Sequence, residues 1–397
     1  MPKPNSDCRA TERKHPWPMV RLGDVCDYVH RGKSPVYCEA SSYPMFAQKC
    51  NQPFGIVLDK CKFCEPKVYN RFREEYRLRD NDIVVNSTGT GTLGRVGLFH
   101  TEYLKPYGYE SITADSHVMI VRTNPSTIPA YLYWYMKQDL VYDWINDNAN
   151  GSTNQKELYP QTLSQLEIPL PPLSIQREIV ARLERELATV EKIKKDFEAL
   201  AETAKAEFKA ELKEVFEEIS RGGAETRRLG EVCELKAGGD KPKNFSKIKT
   251  QTHKFPVVSN GIGGDGICGF SNVATIVEPC VTVSARGTIG WACVRDYPFV
   301  PIVRLIVATP CAIIDVRYLL YVFKRLPIEY AGSSIPQLTV PMIKDMELPL
   351  PPLAVQREVV ARLDSAKARA EKLEAKAREG VAVCETMRKA ILKEAFE

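Results

Sequence analysis

The chain has 397 residues, 44% hydrophobic and 26% charged, with a net charge of +5. This mix excludes disordered, collagen-like and mucin-like chains, and at roughly 100–200 residues per domain it suggests two to four structural units. No apolar run is long enough to span a bilayer, the best (305–314) being broken by Pro310, and the polar, proline-punctuated start carries no secretory signal, so the 12 cysteines are expected to stay reduced in the cytoplasm.

In chain order, residues 1–16 read as an N-terminal extension. Beyond Trp17, the run Asp82–Val85 predicts a strand feeding a Ser/Thr/Gly loop, Asn86–Gly97, followed by a strand over Ser116–Val121 and a short helix over Tyr131–Gln138. Pro169, Pro171 and Pro172 then forbid helix, and Ser174 stands where an N-cap would. After it, apolar side chains recur in steps that fit one helical stripe: Ile175, Ile179, Leu183, Val190, Ile193, Phe197, Leu200, Ala204, Phe208, Leu212, Val215 and Ile219. The spacing predicts one long helix over 174–221, ended by Gly222–Gly223.

The same order follows again. Pro279–Val283 predicts a strand feeding the loop Ser284–Trp291, then come a strand over Ile302–Ala308, a helix over Tyr318–Phe323, and a second long helix over 354–397. The second stripe runs Val355, Val359, Leu363, Ala366, Ala370, Leu373, Ala377, Cys384, Met387 and Ile391. Each helix of about 45 residues would be roughly 65–70 Å long and needs a partner for its stripe. Two copies of one unit normally close about a two-fold axis, which makes the helices antiparallel. The expected fold is therefore α+β: two domains, 17–173 and 222–353, each followed by a long helix, the helices packed as an antiparallel coiled coil with pseudo-two-fold symmetry.

The duplication is explicit. Ile168–Glu184 (IPLPPLSIQREIVARLE) recurs as Leu348–Asp364 (LPLPPLAVQREVVARLD), with every difference conservative. Upstream, Arg21–Tyr28 echoes Arg227–Leu235, Gly91–Gly94 echoes Gly287–Gly290, and Ala130–Lys137 echoes Arg317–Lys324. Each half is a variable domain followed by a shared segment.

No catalytic constellation is visible. The two GxGxxG strings, Gly89/Gly91/Gly94 and Gly264/Gly266/Gly269, open no helix and read as tight turns. There is no Walker-A string, HExxH or GxSxG, and Asn51–Phe54 has Gln52 where an amino-methyltransferase motif needs proline. Cys61 and Cys64 form a CxxC. A zinc site would need Cys38 and Cys50 at irregular spacing, or His30, and ordinary reduced cysteines are the preferred reading. Residues 222–353 hold 15 of the basic and 11 of the acidic side chains, which permits a nucleic-acid face there.

The LPLPPLxxQRExVxRL segment opening a long helix after each of two unlike domains resembles the specificity subunits of type I restriction–modification systems, over about Trp17–Glu397. The approach segments Gly151–Leu158 and Gly332–Leu338 share in the likeness. The resemblance implies a non-catalytic, DNA-binding chain. Its domains recognise a bipartite, asymmetric site in double-stranded DNA, and its helices space them and dock two methylation subunits, with restriction subunits as further partners and no membrane association. The repeated Gln176, Arg177 and Glu178, with Gln356, Arg357 and Glu358, are the expected partner-binding residues. S-adenosylmethionine, ATP and Mg are expected on partner subunits serving adenine-N6 methylation and ATP-dependent cleavage, and none on this chain. Domains set about one DNA turn apart, 34–36 Å, would fit such a rod.

Base edges are read by Arg, Asn, Gln, Lys, Ser and Thr. Asn86, Ser87, Thr88, Thr90 and Arg95 in the first domain, and Ser284 and Arg286 in the second, are the expected readers, followed by Ser259, Asn260, Gln155, Lys156 and Gln337. Arg286 stands out because an arginine between a strand and a glycine has little structural reason to be there. The other readings are the specificity partner of a type II fused methylase–nuclease and a coiled-coil scaffold that binds no DNA.

Overall fold

The structure, a computed structural model, describes residues 16–151, 156–261, 263–325 and 337–397. They form two compact units, one reaching to Asp196 and including Gly380–Glu397, the other spanning Phe197–Glu379. Each unit takes one of the two repeated domains, the start of the long helix that follows it, and the end of the other long helix.

In the first unit a sheet orders its strands Cys26–Arg31, Val118–Thr123, Ile83–Asn86 and Val96–Leu98, all pairs antiparallel. Ile83–Asn86 is buried along its whole length, as a central strand covered on both faces should be. A smaller sheet runs Thr113–Ala114, Pro44–Phe46, Lys62–Cys64 and Tyr37–Cys38, and Asn51–Gln52 with Gly55–Ile56 makes a hairpin. The second unit repeats both sheets in the same order: Cys233–Ala237, Leu305–Pro310, Cys280–Ser284 and Ala292–Arg295, then Val300–Pro301, Phe255–Val258, Ile267–Ser271 and Phe245–Ser246. In each unit a two-stranded sheet ties the domain's first strand to the segment entering the long helix, Met19–Arg21 with Glu167–Pro169 and Glu225–Arg228 with Glu347–Leu350.

The long helices span Leu173–Arg221 and Leu353–Glu394. Ser174 is not the N-cap, because the first helix begins one residue before it. The helix ends as predicted: Gly223 takes φ 78°, its N–H reaches Ser220 O (3.2 Å), and the Ala224 N–H reaches Ile219 O (3.4 Å). That pairing consumes two carbonyls the last turn would otherwise leave open. Within the first unit Leu183 and Leu187 share a core with Leu392 and Phe396. Within the second Leu212, Val215 and Phe216 share one with Val359, Val360 and Leu363. The start of one helix therefore meets the end of the other in both units, and the pair runs antiparallel. Not every predicted stripe position faces this seam. Ile193, Leu200, Val355 and Met387 are exposed, since a stripe recurring every three or four residues is wider than the line of contact.

Candidate nucleic-acid interface

Each central strand ends in a loop anchored by matching backbone hydrogen bonds. In the first unit Ser87 N–H donates to His117 O (2.9 Å), Leu158 N–H to Ser87 O (2.8 Å) and Gly94 N–H to Asn86 O (2.9 Å). In the second, Ala285 N–H donates to Arg304 O (2.8 Å), Leu338 N–H to Ala285 O (2.9 Å) and Gly290 N–H to Ser284 O (3.0 Å). These bonds make Thr88 and Arg286, His117 and Arg304, and Glu157 and Gln337 equivalent positions. Left-handed glycines turn both loops: Gly89, Gly91 and Gly94 in one, Gly287 and Gly290 in the other.

In the first loop Thr88 Oγ1 lies 2.9 Å from His117 Nδ1, at an exposed edge. Arg31 donates to the Glu157 carboxylate and to Leu158 O, and lies 4.9 Å from the Tyr159 ring centroid. Its donated bond holds the Glu157 carboxyl below the usual range. In the second loop Arg286 Nε donates to Gln337 Oε1 (2.9 Å), Nη2 donates to the same oxygen, and Asn260 Nδ2 donates to Arg286 O (2.7 Å). Three predicted readers thus converge. Arg286 nevertheless has a structural role that the sequence did not disclose: its fork binds the loop to the segment leading into the second helix.

Other expectations need correction. Asn86, Ser87 and Ser284 have no exposed surface, so all three side chains lie beneath the loops, and Asn86 is tied there to Gln48 O (3.2 Å) and Asn51 Nδ2 (3.3 Å). Arg95 turns back on the loop, with Nη1 donating to Asn51 O (2.9 Å) and Nη2 to Gly91 O (3.4 Å). Lys156 donates to Asn146 O, and Ser259 Oγ to Asn260 Oδ1 (3.2 Å). Thr90 is exposed at the first loop's tip. Gln155 lies outside the described residues.

The partner-binding expectation divides. Gln176 is fully buried: its Oε1 accepts from Ile128 N–H (2.8 Å), and its Nε2 donates to Ser126 O (3.1 Å) and Pro171 O (2.9 Å). Gln356 repeats this with Asp315 N–H (2.8 Å), Ile313 O (3.0 Å) and Pro351 O (2.8 Å). Both glutamines clamp helix to domain and cannot touch a partner. Arg177, Glu178, Arg357 and Glu358 are exposed.

Two side chains at the loops escaped the sequence reading. His117 sits in a turn held by its own N–H to Asp115 Oδ1 (2.8 Å). Arg304 is exposed with φ 84°, a left-handed backbone that costs a non-glycine residue strain and tends to mark functional positions. Both lie just before strands, where single polar residues carry no periodic signal.

Cys50 and Cys61 bring their sulfurs to 3.7 Å, while Cys64 donates to Glu65 O (3.6 Å), so the CxxC sulfurs do not converge. The bond to Cys50, with burial, pushes the Cys61 thiol far up. Among the described residues no group of three or more His, Cys, Asp or Glu is assembled to hold a metal, and no helix is long and apolar enough to cross a membrane.

Two Mycoplasma pneumoniae proteins described as type I specificity subunits match, one 36% identical over 34% of this chain and 41% of its own length, the other 29% identical over 53% and 58%. This chain thus spans about half the length of those curated relatives. A specificity subunit of a Methanocaldococcus jannaschii type I restriction enzyme is 24% identical over 87% of this chain and 86% of that one. Among solved structures, a chain from a study of complex assembly in the type I R-M system superposes with TM-score 0.77 at 21% identity, covering 97% of this chain and 99% of that one. The HsdS subunit of Thermoanaerobacter tengcongensis gives 0.57, also at 21% identity, over 97% and 98%. These likenesses do not favour a type II fusion partner or a scaffold. The family model for the type I restriction modification DNA specificity domain matches residues 14–200 and again 222–381, once in each half of the repeat, and the chain belongs to that family.

Proposed function

We propose that this chain is the DNA-specificity subunit of a type I restriction–modification complex, whose two domains read the halves of a bipartite, asymmetric site in double-stranded DNA. The observation that carries the reading is one backbone hydrogen-bond frame presenting unlike side chains: Thr88, His117 and Glu157 in the first domain, Arg286, Arg304 and Gln337 in the second. A frame that holds its loops while their chemistry changes suits a module that specifies different bases. Arginine pairs bidentately with guanine O6 and N7, so Arg304 is the second domain's leading base reader and Arg286 its neighbour, placed by Gln337.

The chain itself performs no catalysis and binds no cofactor on this reading. Two methylation subunits dock on the paired helices, where Arg177–Glu178 and Arg357–Glu358 offer two identical exposed Arg–Glu pairs. They supply adenine-N6 methyl transfer from S-adenosylmethionine, and restriction subunits supply ATP- and Mg-dependent cleavage, all in the cytoplasm. Methylome sequencing of the source cells with and without the gene tests this. One bipartite motif should lose adenine methylation, and persistence of every methylated motif would overturn the reading.

A further inference from the structure

The second domain carries a lysine-rich loop that is longer than its counterpart in the first. Between Ala237 and Lys254 stand Lys241, Lys243, Lys247, Lys249 and Lys254 against one acid, Asp240. Ile248 lies between two of these lysines and is 74% exposed. The loop is not slack. Ser246 Oγ donates to Ile248 O (2.7 Å) and accepts from Ile248 N–H (3.2 Å), while Thr250 Oγ1 accepts from His253 N–H (2.9 Å).

The sheet register directs it. Phe245–Ser246 and Phe255–Val258 both pair antiparallel to Ile267–Ser271, from opposite sides, so they run in one direction about 10 Å apart. The chain leaving Ser246 towards Ile248 therefore heads for the same sheet end as the chain leaving Val258 towards Asn260, whose side chain holds Arg286 O. At that end Ile267 and Val303 are also exposed, the latter next to Arg304. A single exposed isoleucine is ordinary. One pre-ordered between lysines, where the chain heads for the sheet end to which the Asn260 loop also leads, is placed like the apolar wedges with which DNA-binding proteins part stacked bases.

We propose that Ile248 is such a wedge: it enters a base step in or beside the half-site read by the second domain, unstacking it, while Lys247 and Lys249 hold the flanking phosphates. The first domain reads its half without this distortion, since its shorter connection between the equivalent strands, Glu39–Tyr43, holds no lysine. The inference rests on the DNA-specificity reading above.

The test uses the chain assembled with its methylation subunits on duplexes carrying the methylated motif, with 2-aminopurine walked through both half-sites and their flanks. Beyond the target adenines that the methylation subunits flip out of the stack, the wild type should brighten one further position, on the second half only, and Ile248→Ala should abolish that further signal while still methylating the same motif. Lys247→Ala or Lys249→Ala should keep the signal and reduce the salt slope by about 1 each. The wedge is overturned if no position beyond the flipped target adenines brightens, if Ile248→Ala leaves that further signal intact, or if it weakens binding without altering it, which would make Ile248 a surface contact only. Failure of the complex to prefer the motif over scrambled DNA would instead overturn the specificity reading, and the wedge with it.

Discussion

At the loop edge the first domain presents Thr88 and His117, hydrogen-bonded to each other, where the second presents Arg286 and the strained Arg304. The interiors differ as well. The first unit buries a guanidinium against a carboxylate: Arg122 Nε and Nη2 reach the Asp82 oxygens at 2.8 and 3.0 Å. The second buries Arg295 among neutral acceptors, Thr282 Oγ1 (3.3 Å), Tyr297 Oη (2.7 Å) and Asp265 O (2.7 Å). What does not differ is the set of backbone bonds under each loop and the glutamine at each helix start. The repeat therefore preserves what positions the loops and varies what they display, so side-chain chemistry can change without re-engineering the fold.

The largest effect should come from the buried pair. Arg122→Ala leaves Asp82 buried without its cation and should cost about 3–5 kcal/mol in denaturant unfolding of the full chain. Arg295→Ala orphans only neutral acceptors and should cost about 1–3 kcal/mol. Equal losses would break the contrast. Burial already pushes the Asp82 carboxyl up from its ordinary value, and losing Arg122 raises it further. A raised folded pKa stabilises most below the unfolded value, about 3.9. The variant's deficit should therefore be smallest in acid and grow as pH rises through the raised folded pKa.

Next in size are the clamps. Gln176→Ala and Gln356→Ala each strand three backbone groups, one buried and two part-buried, and should cost about 1–3 kcal/mol by the same measurement, in near-equal amounts. Arg177→Ala and Arg357→Ala should change stability by less than about 0.5 kcal/mol and weaken partner binding instead. If the glutamine variants were stable and failed only to bind the partner, the clamp would be refuted.

The display positions follow. Arg304→Ala and Arg286→Ala should each cost about 1–3 kcal/mol of DNA affinity, confined to substitutions in the second half-site, while His117→Ala should act on the first alone. Equal weakening on cognate and scrambled duplexes would make either arginine a phosphate contact. Smallest is Glu157→Gln. Its ion pair with Arg31 is still partly open to solvent, so stability should fall by less than about 1 kcal/mol, and a larger loss would mean Arg31–Glu157 is a structural lock.

The repeat, the two long helices, the glycine stop of the first and the central strands were all readable from residues, because periodicity and backbone restriction are local properties. Ile83–Asn86 and Cys280–Ser284 lie where apolar runs end in glycine-rich loops, and Gly222–Gly223 stops the helix for conformational reasons that need no tertiary context. Residue type also marked the second loop, where Asn260, Arg286 and Gln337 do come together.

The tertiary structure alone decided which polar side chains face out. Gln176 and Arg177 are adjacent and identically repeated, yet one is fully buried and the other exposed, because a helix turns about 100° between them and only packing sets which face meets the domain. Likewise Asn86 and Ser87 fell beneath the first domain's loop, which they were expected to crown, while Arg304 emerged exposed beside the second domain's loop. Composition names the groups able to read DNA. Which of them reach the surface depends on long-range backbone bonds such as Ala285 N–H to Arg304 O and on strand register, and neither leaves a local trace in the chain.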